Sequence, residues 1–158
     1  MDDTTEPRSR AQRRADTERR LTHDVDLWVA SASADGAPYL VPLSFDWDGE
    51  ALLLATPADS PTGRNLAANR TVRLGLGDTR DVCMIDGDVD ILEIDALARD
   101  QGDRFAARSG FDPRALTTPY RWFRIVPRRI QAWREVDELP DRELMRGGRW
   151  LVEQMETR

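Results

Sequence analysis

The sequence predicts a mainly β fold with peripheral α-helices, built as a small barrel of about six antiparallel strands. Two Asp-Gly pairs favour it, because Asp35-Gly36 and Asp48-Gly49 supply the positive φ angles that tight hairpin turns need. Around these turns, apolar and polar residues alternate as they do in strands with one buried face. Short strands with two interspersed helical segments favour closure into a small barrel.

The three strands around the Asp-Gly turns are predicted to form an antiparallel meander. The first covers 25–32 and the second 39–45, both with alternating apolar residues. The third, 51–55, is almost continuously apolar and is therefore expected to be buried on both faces.

The rest of the chain is predicted to alternate between strands and helices. A helix is predicted over 62–69, a fourth strand over 72–76 and a fifth over 82–92, where Gly87 is a candidate bulge. A helix capped by Asp95 is expected to end at Ser109. The remaining predictions are a sixth strand over 120–135, bent at Pro127, and a final helix over 137–155 that Gly147-Gly148 weakens.

We therefore divide the chain into three parts. Residues 1–23 form a polar N-terminal arm or helix that contains six arginines and has no strong apolar face. The sequence favours a solvated, partly frayed helix there, and the alternative is an arm that packs on a partner subunit. Residues 24–136 form the barrel, and residues 137–158 are expected to add a C-terminal helix to the same domain.

Composition excludes several classes of protein. A net charge of −6 argues against nucleic acid as the main partner. One cysteine, Cys83, and one histidine, His23, exclude an internal disulfide and argue against a metal site. No apolar run approaches the ~20 residues of a membrane span and no signal peptide is visible, so we expect a soluble cytoplasmic protein without membrane contact. All 23 basic residues are arginine, so an anion must be held by arginine, hydroxyl and backbone groups.

The segment after the third strand is the strongest functional signal. The strand ends at Thr56, and a loop with Ser60 and Thr62 leads into a helix that opens with Arg64 and Asn65. Free backbone N–H groups and the helix dipole favour an anion at a helix start, so these residues could hold a phosphate. The alternative is an ordinary helix N-cap, made by Ser60 or Thr62.

Three stretches of the chain resemble one known family. They read VDLWVASASADGAPYLVPLSFDWDGEALLLAT, SPTGRNLAANRTVRLGLGDTRDVCMIDGDVDIL and YRWFRIVPRRIQAWRE. Their order resembles the split-barrel flavin-binding family related to pyridoxamine 5′-phosphate oxidase, including its actinobacterial branch of flavin- and deazaflavin-dependent oxidoreductases. The resemblance extends over about 24–135.

The resemblance implies a homodimer with two cofactor sites at the interface. It implies that the third strand and the following helix start hold the cofactor phosphate, while the cofactor ring lies against the second strand. By position, the phosphate residues are Thr56, Ser60, Thr62, Arg64 and Asn65, and the ring residues are Val41, Pro42, Leu43 and Ser44.

Two departures from the family pattern bear on chemistry. The family usually has lysine where Thr62 stands, so this chain keeps a donor there but loses a charge. Authentic pyridoxamine phosphate oxidases also carry an Arg and His pair near the C-terminus, and no histidine follows His23 here. Oxidation of vitamin B6 is therefore not expected. FMN and coenzyme F-420 remain open as the cofactor, with haem a remote third option.

The remaining candidate residues are less specific. Ser44 and Tyr120 are the only proton donors we nominate, and for Tyr120 the sequence favours the alternative of an aromatic residue that begins a strand with its hydroxyl in solvent. Arg80 could add a charged cofactor contact or form a surface ion pair with Asp81. Among five tryptophans, Trp28 and Trp122 are expected either in a subunit interface or in the core of one subunit.

The expected function is an oxidoreductase that transfers hydride to a small unsaturated or quinone-like substrate. The alternatives are a non-catalytic cofactor carrier and a barrel that has lost its cofactor and acts as an interaction dimer.

Overall fold

The computed structural model describes residues 6–155, within which it has eight strands and three α-helices. The strands are β1 (Asp26–Ala32), β2 (Pro38–Trp47), β3 (Leu52–Pro57), β4 (Thr71–Leu76), β5 (Val82–Glu93), β6 (Tyr120–Trp133), β7 (Glu143–Arg146) and β8 (Arg149–Trp150). The helices are α1 (Arg10–His23), α2 (Pro61–Ala68) and α3 (Arg99–Ser109). No helix in this part of the chain is long and apolar enough to cross a membrane.

Six strands form an antiparallel barrel in the order β3-β2-β1-β4-β5-β6, and pairing of β3 with β6 closes it. The hairpin of β7 and β8 extends the sheet from β6. The predicted fold class, mainly β with peripheral helices, is confirmed. Both Asp-Gly turns are also present, with φ of +86° at Gly36 and +95° at Gly49.

The barrel opens between β2 and β3. Strand β2 pairs with β1 from Pro38 to Ser44, but it pairs with β3 only over residues 45–47. Helix α2 contacts β1, β2 and β3 at this opening, and its Leu66 is fully buried in the main core. The opening therefore leaves the β3-facing edge of β2 free of strand pairing before Phe45.

Strands β5 and β6 form the longest pairing in the barrel. Their register shifts where Asp86 pairs with Arg129 and Gly87 pairs with Pro127, so Arg128 is the extra residue. An ideal Cβ on Gly87 would lie 2.5 Å from Ile125 Cγ2 and 2.8 Å from the Val126 carbonyl oxygen. The predicted irregularity at Gly87 is confirmed, but the extra residue is Arg128 on β6 and not a residue of β5.

Helix α3 covers a second, smaller core outside the barrel. Phe105 packs edge-to-face on Trp122, with ring centroids 5.1 Å apart, and Trp122 is fully buried. The Trp122 indole N–H donates to the Ile94 carbonyl at 3.2 Å. Trp122 is therefore a core residue of one chain. The helix starts later than predicted, because residues 94–96 form a separate 3-10 turn and Ala98 precedes the first turn of α3.

The C-terminal helix predicted over 137–158 is wrong for the residues that the structure describes. They form a 3-10 turn at Val136–Glu138 and then the β7–β8 hairpin, while residues 156–158 lie outside the described range. Gly147 and Gly148 have φ of +59° and +78° and make the hairpin turn. Two consecutive left-handed residues favour a tight hairpin, which explains why this glycine pair does not interrupt a helix.

The N-terminal segment is a helix as predicted, but the expectation that it is solvated is wrong. Helix α1 packs against β2, β6 and β7 of its own chain, and Arg13, Asp16, Thr17 and Leu21 are buried. Three of these four residues are polar, so their burial could not be recognised from an apolar stripe. Residues 1–5 of the predicted arm lie outside the described range.

The buried face of α1 is held by a network of ion pairs where an apolar stripe would be expected. Arg8 contacts Asp16 at 2.9 Å, Glu138 at 2.7 Å and Asp81 at 3.6 Å, and Arg20 contacts Asp81 at 2.6 Å. Burial favours the neutral form of Glu138, but hydrogen bonds from the Arg8 side chain and from the Arg8 and Arg134 backbone outweigh it. They lower the pKa of Glu138 from 4.5 to about 2.

The depressed pKa of Glu138 predicts a stability that depends on pH. Its contribution is present above the unfolded pKa of 4.5 and is lost as pH falls from there through about 2. We expect Glu138→Gln to lower the free energy of unfolding by about 1–3 kcal/mol at pH 7, the range for a buried partner left unpaired. The difference from wild type should shrink in urea titrations as pH falls from 5 to 2.

Glu135→Gln is the matched control, because Glu135 is exposed and its contact with Arg80 spans 3.6 Å. A Glu138→Gln deficit that stays constant from pH 7 to pH 2 would contradict the assignment.

Candidate cofactor-binding site

The turn between β3 and α2 is organised by the hydroxyl of Ser60. This oxygen accepts from the Gly63 N–H at 3.0 Å, donates to the Pro57 carbonyl at 2.8 Å and lies 3.2 Å from Thr56 Oγ1. Ser60 is thus the N-cap of α2, with Pro61 at the first helical position. Its hydrogen-bonding capacity is full, so a bound anion would have to replace one of these partners.

Gly63 allows this turn to close over the helix start. An ideal Cβ at Gly63 would lie 2.9 Å from the Ala58 carbonyl oxygen and closer still to that of Pro57. These are backbone atoms, which cannot rotate away. Sequence reasoning did not select Gly63, although a glycine in the first turn of a helix is a usable signal because it disfavours the helix interior.

The other predicted phosphate residues take three different environments. Thr62 is buried, with 2 % of its surface exposed. The Arg64 side chain is 61 % exposed; it donates to the Asp59 carbonyl at 3.1 Å and lies 3.4 Å from the Asp59 carboxylate. The Asn65 amide donates to Ser31 Oγ on β1 at 3.1 Å. Arg64 is therefore the one predicted cation at this helix start.

The predicted ring residues lie on the unpaired part of β2. Val41, Pro42, Leu43 and Ser44 pair with Val29, Trp28, Leu27 and Asp26 of β1 and with no residue of β3. Because Phe45 pairs with Leu54, Leu43 would lie level with Thr56 if the pairing continued. The free edge of β2 and the β3–α2 turn therefore flank the same opening.

The two proton-donor candidates, Ser44 and Tyr120, make different contacts. The Ser44 hydroxyl donates to Asp26 Oδ1 at 2.7 Å. Tyr120 pairs with Pro57 at the end of β3, and its ring packs on Phe111 with centroids 6.0 Å apart. The neighbouring Pro119 carbonyl accepts from the Ala58 N–H at 2.9 Å, which ties the loop over 110–119 to the β3–α2 turn.

Arg80 is not brought to this site within one chain. It lies in the β4–β5 turn, 3.6 Å from Glu135, and both side chains are exposed. The β3–α2 turn and the β4–β5 turn lie at opposite ends of β6, since the first residue of β6 pairs with Pro57 and its last, Trp133, pairs with Val82. The predicted ion pair of Arg80 with Asp81 is replaced by this contact with Glu135.

An antiparallel barrel that is open between two strands, with a capped helix start at the opening, defines the class of split-barrel proteins. The family model for pyridoxamine 5'-phosphate oxidase matches residues 19–134, so the chain belongs to that family. Among curated proteins, no sequence matches this chain.

Solved structures share the fold at low sequence identity. An F420 reductase is 22 % identical with a TM-score of 0.59, and the match covers 72 % of this chain and 94 % of that one. A FAD-binding protein from Mesorhizobium loti is 20 % identical with a TM-score of 0.63, over 80 % and 93 % of the two chains. The haem storage protein HutZ from Vibrio cholerae is 19 % identical with a TM-score of 0.56, over 72 % and 88 %.

The close approach at Gly63 predicts that a single methyl group distorts the β3–α2 turn. We expect Gly63→Ala to lower the free energy of unfolding by about 1–3 kcal/mol, the range for an overpacked site. Gly75→Ala is the control, since an ideal Cβ there meets only Trp28 Cβ at 3.9 Å, and its change should stay within about 0.5 kcal/mol. Equal urea midpoints for the two variants would contradict the close approach.

Proposed function

We propose that this protein is a flavin- or deazaflavin-dependent oxidoreductase that reduces a small unsaturated or quinone-like substrate by hydride transfer. The observation that carries the proposal is the opening flanked by the free edge of β2 and the β3–α2 turn. A flat redox ring needs polar backbone groups along one edge, and its phosphate needs an electropositive helix start. Both features border one opening here.

The residues at the helix start fit a phosphate group. The ion pair of Arg64 with Asp59 is exposed on both sides, 61 % and 98 %, and such pairs contribute little to stability. Arg64 can therefore exchange Asp59 for a phosphate, with which it can form two parallel hydrogen bonds. The hydroxyls of Thr56 and Ser60 lie beside it, and they would donate to a phosphate by releasing their present partners, Ser60 Oγ and the Pro57 carbonyl.

The free edge of β2 fits the ring. Backbone N–H and C=O groups without a strand partner are available to a ligand's polar atoms. When bound, the cofactor would supply the redox chemistry, and the chain would bind and orient it and exclude water. Ser44 and Tyr120 stay the candidates for holding a proton near the site, and neither is required as a nucleophile.

We propose a homodimer with the cofactor sites at its interface. The outer faces of β1 and β2 carry the exposed side chains Trp28 (50 %), Leu40 (60 %) and Pro42, with Pro42 paired to Trp28 and Leu40 to Ala30. We call Trp28, Leu40 and Pro42 the outer patch. Contiguous exposed apolar groups of this kind mark interaction sites, and aromatic residues are enriched in interface cores.

A non-catalytic role is the second candidate, either as a cofactor carrier or as a dimer without cofactor. Two observations favour it. Thr62, where the family usually has lysine, is buried, and Arg64 is the only arginine among the predicted phosphate residues. Fewer charges at the phosphate weaken its retention, because charge-assisted hydrogen bonds are roughly twice as strong as neutral ones.

Cofactor titration tests the main proposal. We expect saturable quenching of tryptophan fluorescence by FMN or by coenzyme F-420, and a roughly 10- to 100-fold rise in Kd for Arg64→Ala. That rise corresponds to the loss of about 1.5–3 kcal/mol for hydrogen bonds to a charged group. Arg70→Ala is the matched control, since Arg70 is exposed just beyond α2. Absence of saturable quenching by both cofactors would overturn the proposal in favour of a dimer without cofactor.

The outer patch predicts the oligomeric state. We expect wild type to sediment as a dimer and Leu40→Asp to shift it towards monomer, because a buried unpaired charge opposes association. Leu116→Asp is the control, since Leu116 is similarly exposed at 47 % but lies in the loop before β6. Analytical ultracentrifugation of the three proteins decides; an unchanged dimer in Leu40→Asp would exclude this face.

A further inference from the structure

A polar pocket of about 290 Å³ lies between the start of α1, strand β6 and the C-terminal hairpin. Its volume is at the small end of ligand sites, which span roughly 300–1,000 Å³. Four of its eight lining residues are arginines. The lining consists of Arg10, Arg129, Leu139, Asp141, Arg142, Glu143, Arg146 and Leu151.

The positive charge of this pocket is poorly neutralised. Glu143 is shared by Arg129, at 2.5 Å, and by Arg146. Among the residues from 6 to 155, Arg10 and Arg142 have no carboxylate within 4.0 Å, and Asp141 has no arginine or histidine nitrogen within that distance. Four guanidinium groups and two carboxylates leave a net charge of +2 in a concave site, which concentrates anions.

Arg142 and Arg10, the two arginines without a carboxylate partner, are held in place by neutral groups. Arg142 donates to the Gln131 side chain and to the Leu139 carbonyl, each at 3.1 Å, and it lies over the Trp133 ring at 5.9 Å from the centroid. Arg10 donates to the Glu143 carbonyl at 2.6 Å. These bonds orient the guanidinium groups without cancelling their charge, so the site is organised before a ligand arrives.

Asp141 is one of the two acidic residues that line the pocket. It has a φ of +58°, the one positive φ outside glycine in the described chain, and this conformation turns the loop between Leu139 and Arg142. Its carboxylate lines the pocket and opposes an anion there. The affinity for anions therefore depends on how far the arginines outweigh Asp141.

We propose that this pocket binds a small multivalent anion carrying phosphate or carboxylate groups. Its ligands are Arg142 and Arg10, which lack a carboxylate partner, together with Arg129 and Arg146, which share Glu143. Guanidinium groups suit these anions because each can donate two parallel hydrogen bonds. The pocket is separate from the cofactor opening. Arg129 lies towards the C-terminal end of β6, whereas Tyr120, beside the opening, is the first residue of that strand. It joins α1 to the hairpin, so the bound anion stabilises the docking of both.

Calorimetric titration with pyrophosphate and, separately, with citrate tests the site and distinguishes phosphate from carboxylate ligands. We expect saturable binding of at least one anion, weakened at least ten-fold in Arg142→Gln and further when Arg146→Gln is added. Asp141→Asn should tighten it several-fold. Arg149→Gln, an exposed arginine outside the pocket, should leave the Kd unchanged.

The Arg64→Ala variant separates this site from the proposed cofactor site. Retained pyrophosphate or citrate binding in Arg64→Ala supports the pocket, and loss there with retention in Arg142→Gln overturns it. Absence of saturable binding in wild type, or equal weakening in Arg149→Gln and Arg142→Gln, would also overturn it. Unfolding midpoints without anion confirm that each variant is folded, and pyrophosphate or citrate should raise the wild-type midpoint but not that of Arg142→Gln.

Discussion

The pairing of β3 with β6 is the constraint on which the rest of the molecule depends. Six residue pairs, from Leu52 with Ile125 to Pro57 with Tyr120, close the sheet into a barrel. Strand β3 pairs with β6 through all six of its residues but with β2 only through Leu52, Leu53 and Leu54, so the barrel is closed at one edge of β3 and open at the other. Helix α2 contacts the strands at this opening, and the edge of β2 before Phe45 is unpaired, so the candidate site lies where the β2–β3 pairing ends.

Arginine hydrogen bonds supplement apolar packing in attaching α1 to the barrel and α3 to α1. Arg13 is buried and donates to the Ala132 and Glu138 carbonyls, while Arg108 donates to the carbonyls of Leu21 and Asp24 at the end of α1. Arginine suits this role because its five donors can satisfy several acceptors at once and it stays ionised. A chain whose basic residues are all arginine can therefore bury polar helix faces that would otherwise remain in water.

Helix capping and anion binding draw on the same atoms at the β3–α2 turn. The Ser60 side chain caps α2 by accepting from the Gly63 N–H, so the local sequence that suggests a phosphate site also makes an ordinary N-cap. The surroundings of the turn favour a phosphate site over a simple N-cap, because the free edge of β2 lies beside the turn and Arg64 is exposed at the helix start. Thr62 is buried, and the resemblance places lysine at this position in the family, so under the proposed function the phosphate would be held by Arg64 and the neighbouring hydroxyls.

Local patterns in the sequence determined the six barrel strands, both Asp-Gly turns, the irregularity near Gly87 and α2, because each depends on residues adjacent in the chain. The packed α1 and the position of Arg80 depended on partners 50 or more residues away, which no local pattern records. The β7–β8 hairpin depended on its nearer partner β6, with Met145 paired to Ile130 and Glu143 to Gln131. From its sequence, the buried face of α1 is predicted to be solvated because it is polar. Its charged partners, Glu138 and Asp81, are distant in the chain and are brought to it only by the fold. Gly147-Gly148 weakens a helix and favours a hairpin, and pairing of β7 with β6 decided between them.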